Sequence, residues 1–285
     1  MSRIAYVNGE YVRHGNAAVH IEDRGYQFSD GVYEVIAVKD GALIDGDGHM
    51  TRLQYSLDEL EIAMPMPARA LRVVIAETIR RNRLRNGIVY LQITRGSSPR
   101  NHPFPDFSSP ALVITARRQP YPASADAVAG GRVITIPDIR WKRCDIKSIS
   151  LLPNVLAKQQ AAEAGAVEAW LVDGDGYITE GSSTNAWMVD KAGRLVTRPK
   201  SHAILGGITR ETILKLAREN GIEVVERRFT LDEAKGARET FMTSTTNFVK
   251  PITQIDDRVI ANGEPGEISR RLLALYIEHM NATVG

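Results

Sequence analysis

The sequence predicts a two-domain α/β protein of the α+β kind, and three observations support this class. The chain has 285 residues, more than a single domain usually contains. Strand patterns with Asn-Gly and Asp-Gly turns open the chain, whereas strands and helices alternate after residue 131. Between them, "RRQPYPASADAVAGG" is rich in proline, glycine and small residues, which is typical of a linker. We therefore predict a small N-terminal α/β domain over 1–120, a linker over 121–131 and a larger C-terminal domain over 132–285.

Composition and charge exclude several classes of function. The hydrophobic share of 43% and the charged share of 25% are ordinary for a folded globular protein with a core. The net charge of +2 and the lack of a long Lys/Arg cluster argue against nucleic-acid binding. No apolar run is long enough to span a membrane, and the six histidines lack metal-ligand spacing. Cys144 is the only cysteine, which excludes an intrachain disulfide and predicts a cytoplasmic protein.

The first domain begins with strands and continues with helices. "YVNGEYV" and "VKDGALI" each place a turn dipeptide between apolar residues, which predicts hairpins with type I′ turns. Leu53, Leu57 and Leu60 recur at helical spacing, and a second helix is predicted from near Pro67. "GIVYLQITRG" and "PALVITARR" then predict two further strands.

The second domain alternates strands with helices. The stretches typical of strands are "RVITIP", "AWLVDG", "YITEG", "AWMVD", "RLVT" and "ETFMTS". "PNVLAKQQAAEAG" and "GGITRETILKLARENG" predict helices, and Gly221 is placed to end the second one. "TLDE" from residue 230 carries a capping-box pattern. A C-terminal helix is predicted from the helical stripe of Ile268, Leu272, Leu275 and Tyr276.

Three short motifs suit a phosphorylated ligand, and each also has an ordinary structural interpretation. In "LGGITRET" two glycines lead into a helix whose positive N-terminal end suits an anion, or they form a simple turn. In "TSTTN", residues 243–247, consecutive hydroxyls at a strand end suit phosphate oxygens or a solvated turn. In "TEGSSTN", Glu180 either faces a ring nitrogen or lies in a turn and meets water. Taken one at a time, these motifs do not decide between the two interpretations.

Two further features point to chemistry. Lys147 lies in "CDIKSISLL" among apolar residues. It either extends its amine to water over a covered stem or keeps the amine neutral for attack on a carbonyl. "RGSSPRNHPFPD", residues 95–106, is a proline-stiffened loop whose Arg100 offers a planar two-pronged donor to a carboxylate, with His102 close by. A surface loop with an incidental Arg and His is the alternative.

Together these motifs resemble the fold-type IV pyridoxal-phosphate enzymes, and within them the D-amino acid aminotransferases. Seven motifs occur along the chain in the same order as in that family: "DRGYQFSDGVYEVI", "HMTRL", "RGSSPRNH", "CDIKSISLLPNVLAKQ", "TEGSSTN", "LGGITR" and "TSTTN". The resemblance covers nearly the whole chain, and "RGSSPRNH" discriminates best because the other motifs are shared more widely within the fold type. It implies the fold-type IV architecture, with pyridoxal 5′-phosphate at the interface of the two domains.

The resemblance implies roles for residues that bind this cofactor. Lys147 corresponds to the lysine that forms an internal aldimine with pyridoxal phosphate and then acts as general base and acid at the substrate Cα. Glu180 corresponds to the carboxylate that keeps the pyridine nitrogen protonated. The other implied cofactor contacts are Arg52, Leu205, Ile208, Thr209, Ser244 and Thr245.

The resemblance also implies how the substrate is held. Tyr33, Arg100 and His102 correspond to the family's substrate-carboxylate site. The loop with Arg100 and His102 reaches the partner subunit's active site in that family, so a homodimer is implied. The implied reaction is ping-pong transfer of an amino group from a D-amino acid, D-alanine foremost, to a 2-oxo acid such as 2-oxoglutarate. Phe248 replaces a short polar or acidic residue of many relatives, and we expect it to alter the side-chain pocket.

Four alternatives stay open at this point. Three share the fold: a branched-chain L-amino acid aminotransferase, an (R)-amine aminotransferase, and an aminodeoxychorismate-lyase-like enzyme that uses the same lysine for elimination. The fourth is a phosphate-ligand binding protein without catalysis. The "PRNH" sequence favours a transaminase over a lyase, and the presence of Lys147, Glu180 and Arg52 favours an enzyme over a binding protein.

Overall fold

The computed structural model describes residues 3–283, so the outer ends of both predicted domains, residues 1–2 and 284–285, lie outside the described residues. The described residues form two compact units. The first unit contains residues 3–121, Ile146–Ser150 and residue 283, and the second unit contains Pro122–Asp145 and Leu151–Ala282. Lys147 therefore belongs to the first unit. Among the described residues, no helix combines the length and the apolar character needed to cross a membrane.

The first unit is built on an antiparallel sheet. Its strands are β1 (Ile4–Val7), β2 (Glu10–Arg13), β3 (Gly31–Lys39), β4 (Ala42–Leu43), β5 (Gly87–Thr94) and β6 (Ala111–Arg118). Within the described residues the order is β2-β1-β6-β5-β3-β4, and each neighbouring pair is antiparallel. The helices are α1 (Arg24–Phe28), α2 (Gly46–Glu59) and α3 (Ala68–Arg81). The unit is therefore of the α+β kind.

Turn chemistry forms the two predicted hairpins of the first unit. Asn8 and Gly9 have φ angles of 46° and 107°, and Asp40 and Gly41 have φ angles of 46° and 87°. Positive φ at both central residues is what a type I′ turn requires. These turns join β1 to β2 and β3 to β4, so the hairpin predictions are confirmed.

The two long helices of the first unit pack on its sheet. Leu53 and Leu57 are buried in α2 as predicted, whereas Leu60 lies just after the last residue of the helix. α3 begins directly after Pro67, also as predicted. Their apolar side chains form one cluster with residues of β3, β5 and β6, and Ile146 belongs to it. The short segment Ile146–Ser150 is thereby anchored in the core of the first unit.

The second unit is built on a mixed sheet. Its strands are β7 (Gly131–Pro137), β8 (Glu168–Val172), β9 (Ile178–Gly181), β10 (Asn185–Val189), β11 (Leu195–Thr197), β12 (Val224–Glu226), β13 (Glu239–Ser244), β14 (Phe248–Ile255) and β15 (Arg258–Val259). Within the described residues the order is β12-β11-β10-β13-β14-β7-β8-β9, with β15 paired to β14. β12 is parallel to β11, and β7 is parallel to both β14 and β8. The helices are α4 (Leu152–Glu163), α5 (Ile208–Glu219), α6 (Leu231–Lys235) and α7 (Glu267–Ala282).

Most predicted elements of the second unit are present in the structure. The predicted strands correspond to β7, β8, β9, β10, β11 and β13, and the predicted helices correspond to α4, α5 and α7. Thr230 and Glu233 form the predicted capping box at the start of α6. The sequence patterns did not predict β12, β14 or β15. The stretch that resembles a linker contains a short 3₁₀ turn at Ala125–Ala127.

Candidate active site

Lys147 is held in place by two elements of the first unit. Its backbone N–H donates to Ser56 Oγ of α2 at 3.1 Å, and its carbonyl accepts from the Tyr33 N–H of β3 at 3.0 Å. The next residue, Ser148, forms an antiparallel bridge with Val32. The Lys147 Nζ lies 4.2 Å from the centre of the Tyr33 ring. The structure thus brings the lysine implied to bind the cofactor next to the tyrosine implied to bind the substrate carboxylate.

Arg52 lies on α2, one turn before Ser56, and is paired with a buried carboxylate. Its Nε and Nη2 donate to Glu34 Oε1 and Oε2 at 2.7 and 2.8 Å, a two-pronged ion pair. The His49 Nδ1 forms a hydrogen bond with Glu34 Oε2 at 2.7 Å. Because successive strand residues face opposite sides, β3 presents Tyr33 towards Lys147 and Glu34 towards α2.

Burial and charge together set the protonation of this cluster. Burial of Glu34 disfavours its charged form, yet the Arg52 guanidinium and the His49 hydrogen bond lower its pKa to about 2. Burial lowers the pKa of His49, against the opposing effect of Glu34. At neutral pH the cluster therefore contains a carboxylate, a guanidinium and a neutral imidazole whose Nδ1–H donates to Glu34.

The loop implied to hold the substrate carboxylate presents Arg100 and His102 side by side. The His102 ring packs on Phe28 with the ring centres 5.3 Å apart, and the Arg100 guanidinium carbon lies 4.9 Å from the centre of the same ring. Both side chains are exposed. Among the described contacts, none joins either residue to Tyr33 or Lys147. The structure brings Arg100 and His102 together, but not with the other implied site residues of the same chain.

The second unit holds a buried carboxylate, Glu180, on β9. Its Oε1 is paired with Arg140 Nη1, and its Oε2 accepts from Asn185 Nδ2 at 2.9 Å and from the Leu205 N–H at 3.1 Å. Arg140 is also paired with Asp138 at 2.8 Å. Burial raises the pKa of Glu180, an effect that Arg140 and the Leu205 N–H oppose. The three donors from Arg140, Asn185 and Leu205 favour the charged form of the Glu180 carboxylate.

Asn185, at the start of β10, links Glu180 to the beginning of α5. Its Nδ2 also donates to the Leu205 carbonyl at 3.0 Å. Its Oδ1 lies so close to Gly207 that a Cβ there would collide with it, so this position requires glycine. Gly207 is the N-cap of α5 and provides no side-chain cap. The first N–H groups of α5 have no partner within the helix, as at the start of any helix.

The implied phosphate-binding hydroxyls follow the strand next to Asn185. β13 ends at Ser244 and pairs with β10, with Thr243 opposite Asn185. α5 packs on β13 in the same unit. Of the implied cofactor contacts in the second unit, Glu180 and Leu205 thus contact Asn185 directly, while Ile208 and Thr209 begin α5, Ser244 ends β13 and Thr245 follows it.

The residues present fit pyridoxal 5′-phosphate. A protonated ring nitrogen suits a buried carboxylate such as Glu180, whose charged form is supported by three donors. A phosphate suits a helix that begins at a glycine N-cap, beside strand-end hydroxyls. The aldehyde of the cofactor forms an imine with an amine, and Lys147 supplies an amine. The backbone of Lys147 is held at both its N–H and its carbonyl.

Several residues of these clusters were not predicted from the sequence. Glu34 and Asn185 lie inside "DRGYQFSDGVYEVI" and "TEGSSTN", and membership of those motifs was the available signal. His49 likewise begins the motif "HMTRL", whereas Arg140 had no comparable signal. Phe248 is fully buried, with its ring 5.4 Å from that of Tyr276, and therefore belongs to the core of the second unit. Its expected effect on the side-chain pocket stays a prediction.

Comparison with known proteins gives a consistent result. Residues 31–255 match the family described as amino-transferase class IV. The chain is 41% identical over 281 residues to a D-alanine aminotransferase of Listeria monocytogenes serotype 4b (strain F2365), covering 98% of this chain and 96% of the relative. It is 42% identical over 266 residues to the D-alanine aminotransferase of Bacillus licheniformis, covering 93% of each.

Solved structures give a second comparison. The T.th. branched-chain amino acid aminotransferase, solved with pyridoxamine 5′-phosphate, aligns with a TM-score of 0.89 at 28% identity. The alignment covers 98% of this chain and 94% of that chain. The branched-chain amino acid aminotransferase of Escherichia coli aligns with a TM-score of 0.86 at 26% identity, covering 95% and 92%.

Proposed function

The chain belongs to the class IV aminotransferases, and we propose that it transfers the amino group of D-alanine to 2-oxoglutarate by a ping-pong mechanism. The observation that carries the choice of donor is identity of 41–42% over nearly the whole chain to enzymes named D-alanine aminotransferase. Identity to the branched-chain enzymes is 26–28%. The products are pyruvate and D-glutamate.

Pyridoxal phosphate is the cofactor of this family, and the implied cofactor residues are chemically suited to holding it. When bound, it supplies an electron sink for the negative charge that develops at the substrate Cα. Lys147 would hold the cofactor covalently, and Glu180 would keep the pyridine nitrogen protonated. Phosphate binding is assigned to Arg52, Ile208, Thr209, Ser244 and Thr245, and Leu205 completes the set of cofactor contacts.

Two sets of side chains determine which enantiomer of the substrate reacts. The Lys147 Nζ takes the proton from the substrate Cα and later returns it, as general base and then general acid. Tyr33, Arg100 and His102 bind the substrate carboxylate, and the guanidinium provides a two-pronged donor. Because the lysine fixes the face from which the proton leaves and the carboxylate-binding residues fix the carboxylate, only one enantiomer presents its hydrogen to the amine.

The active assembly is proposed to be a homodimer in which Arg100 and His102 serve the site of the partner copy. The exposed apolar surface of α4 supports this assembly. Leu152, Val155 and Leu156, at helical spacing i, i+3 and i+4, are 68%, 58% and 49% exposed. A cytoplasmic location is also proposed, supported by the single cysteine of the chain.

Replacement of the lysine tests the proposal directly. The purified protein is expected to show the visible absorbance of bound pyridoxal phosphate and to form pyruvate from D-alanine and 2-oxoglutarate. Lys147→Ala is expected to lose both, whereas the exposed Lys142→Ala is expected to keep both. Full transamination by Lys147→Ala would refute the assignment.

A branched-chain L-amino acid aminotransferase is the second candidate, because the branched-chain enzymes align with TM-scores of 0.86–0.89. Parallel assays with D-alanine and L-leucine separate the two. Faster turnover of L-leucine would favour the second candidate.

A further inference from the structure

The first residues of the "DRGYQF" motif tie helix α1 to the start of the loop 95–106. The Asp23 carboxylate accepts hydrogen bonds from the Gly25 N–H at 2.9 Å and from Thr94 Oγ1 at 2.8 Å. The backbone of Asp23 forms an isolated antiparallel β-bridge with Ser97. Gly25 lies so close to Thr94 that a Cβ would collide with its side chain. The Arg24 N–H donates to the Gly96 carbonyl at 2.9 Å. The beginning of the loop is therefore fixed to α1.

Arg24 extends this attachment to the tip of the loop. The residue is only 3% exposed. Its Nε donates to Asp30 Oδ2 at 2.7 Å, while Nη1 donates to the Asn101 carbonyl at 2.6 Å and Nη2 to the His102 carbonyl at 3.1 Å. One buried guanidinium thus holds the backbone of two consecutive loop residues, directly after Arg100.

Asp30 is shared with a second buried arginine at the base of the loop. Arg95 Nε and Nη2 donate to Asp30 at 2.8 and 3.0 Å. Arg95 also donates to the carbonyls of Leu60 and Glu61 at 2.6 and 2.9 Å, and its guanidinium carbon lies 3.6 Å from the centre of the Phe104 ring. Asp30 is therefore held in position for Arg24 by contacts that do not depend on Arg24.

Phe28 provides the surface on which the side chains of the loop rest. The guanidinium carbons of Arg24 and Arg100 each lie 4.9 Å from the centre of its ring, and the His102 ring centre lies 5.3 Å away. A guanidinium near an aromatic ring is held by cation–π attraction. Arg24 thus fixes the loop backbone, and Phe28 restricts the two exposed side chains.

We propose that Arg24 and Phe28 are positioning residues that pre-organise Arg100 and His102 for the substrate carboxylate. The proposal rests on the proposed function, in which those two residues bind the carboxylate. Long exposed side chains lose rotamer freedom when they bind a ligand, so restraint before binding increases affinity. The motif "DRGYQF", to which no cofactor contact is assigned above, is thereby assigned to substrate binding.

The test compares Arg24→Lys and Phe28→Leu with the wild-type holoenzyme. Lysine keeps a positive charge near Asp30 but cannot donate to both loop carbonyls. We expect each variant to raise the KM for D-alanine about tenfold, with kcat within about threefold of wild type, because substrate binding is weakened and the proton transfer is not. The matched control is Arg85→Lys. Arg85 pairs with Asp40 at 2.6 Å on the surface and is 82% exposed, so this variant is expected to have wild-type KM and kcat.

Two further measurements separate positioning from general damage. Hydroxylamine reacts with the bound cofactor and carries no carboxylate, so its rate is expected to stay unchanged in all variants. In the cofactor-free protein, trypsin cleavage of the Arg100–Asn101 bond, followed by mass spectrometry, is expected to be faster for Arg24→Lys, because the loop carbonyls are released. If Arg24→Lys does not fold, Phe28→Leu alone decides the outcome through its KM.

An unchanged KM for D-alanine in the folded variants would overturn the proposal. So would a hydroxylamine rate that falls as much as the KM rises, since that indicates damage to the cofactor site. A wild-type protein without any transamination would instead refute the proposed function. In that case the trypsin experiment still decides whether Arg24 anchors the loop.

Discussion

Replacement of Glu34 by glutamine probes the buried ion pair beside Lys147. Glu34 is fully buried, accepts two hydrogen bonds from Arg52 and shares a third with His49. Its pKa is lowered from 4.5 to about 2 in the folded protein. Since each tenfold change in proton affinity corresponds to about 1.4 kcal/mol, the charged carboxylate stabilises the fold by about 3 kcal/mol at neutral pH. Loss of one partner from a buried ion pair typically costs about 3–5 kcal/mol, which agrees.

The assay is urea unfolding of the cofactor-free protein at pH 7, followed by circular dichroism. We expect Glu34→Gln to lower the free energy of unfolding by about 3 kcal/mol, since Arg52 is left as a buried charge without its carboxylate. The control is Glu77→Gln on α3. Glu77 pairs with Arg80 and Arg81, and its pKa is likewise lowered to about 2, but the pairs lie at the surface. Solvent and salt screen such pairs, so no measurable loss is expected.

The dependence on pH gives a second readout of the same interaction. Because the pKa of Glu34 is lower in the folded state than in the unfolded state, its contribution is complete above about pH 4.5 and is lost as the pH falls towards 2. The difference in stability between wild type and Glu34→Gln is therefore expected to narrow below pH 4.5. Equal urea midpoints at pH 7, or a difference that does not narrow in acid, would refute the reasoning.

Two further predictions concern the second unit. Arg140→Gln removes the cation beside Glu180, so burial should raise the pKa of Glu180 further. We expect kcat to fall at least about tenfold at pH 7 and to recover as the pH rises. An unchanged pH–rate profile would contradict this prediction. Val155→Asp places a charge on the exposed apolar face of α4 and is expected to convert the proposed homodimer to monomers in sedimentation measurements. The control Val73→Asp on α3, at a residue that is 65% exposed, is expected to leave the proposed homodimer intact.

Local chemistry explains which elements were predictable from the sequence. The hairpin at Asn8 and Gly9 depends on two adjacent residues that tolerate positive φ, so the local pattern is sufficient. β14 was missed because it contains Pro251, and proline argues against a central strand. In the structure β14 lies between β13 and β7, and its pairing with β7 has a register shift just after the proline, between Ile252 and Gln254. Pro251 itself pairs with Phe241 of β13, and the ladder with β7 begins only at the next residue, Ile252.

The pairing of the buried charges Glu34 and Arg52 was unpredictable for a different reason. Glu34 interrupts the apolar pattern of β3, so only the hairpin end of that strand was predicted. A carboxylate in a core requires a partner, and the partner, Arg52, is on a helix that packs on the strand. Arg52 alone is indistinguishable from an exposed helix charge. Only the tertiary contact shows that the two charges belong together.

The same limit applies to Lys147, whose local sequence leaves two interpretations open until the resemblance is considered. The apolar neighbours of Lys147 are equally compatible with a covered stem and with a reactive amine. In the structure Ile146 is buried in the core of the first unit, and the backbone of Lys147 is bonded on both sides, to Ser56 and to Tyr33. A lysine that only extends its amine to water does not need a backbone fixed in this way. Its Nζ lies instead over the ring of Tyr33, 4.2 Å from the centre, next to the residue that the resemblance implies for the substrate carboxylate.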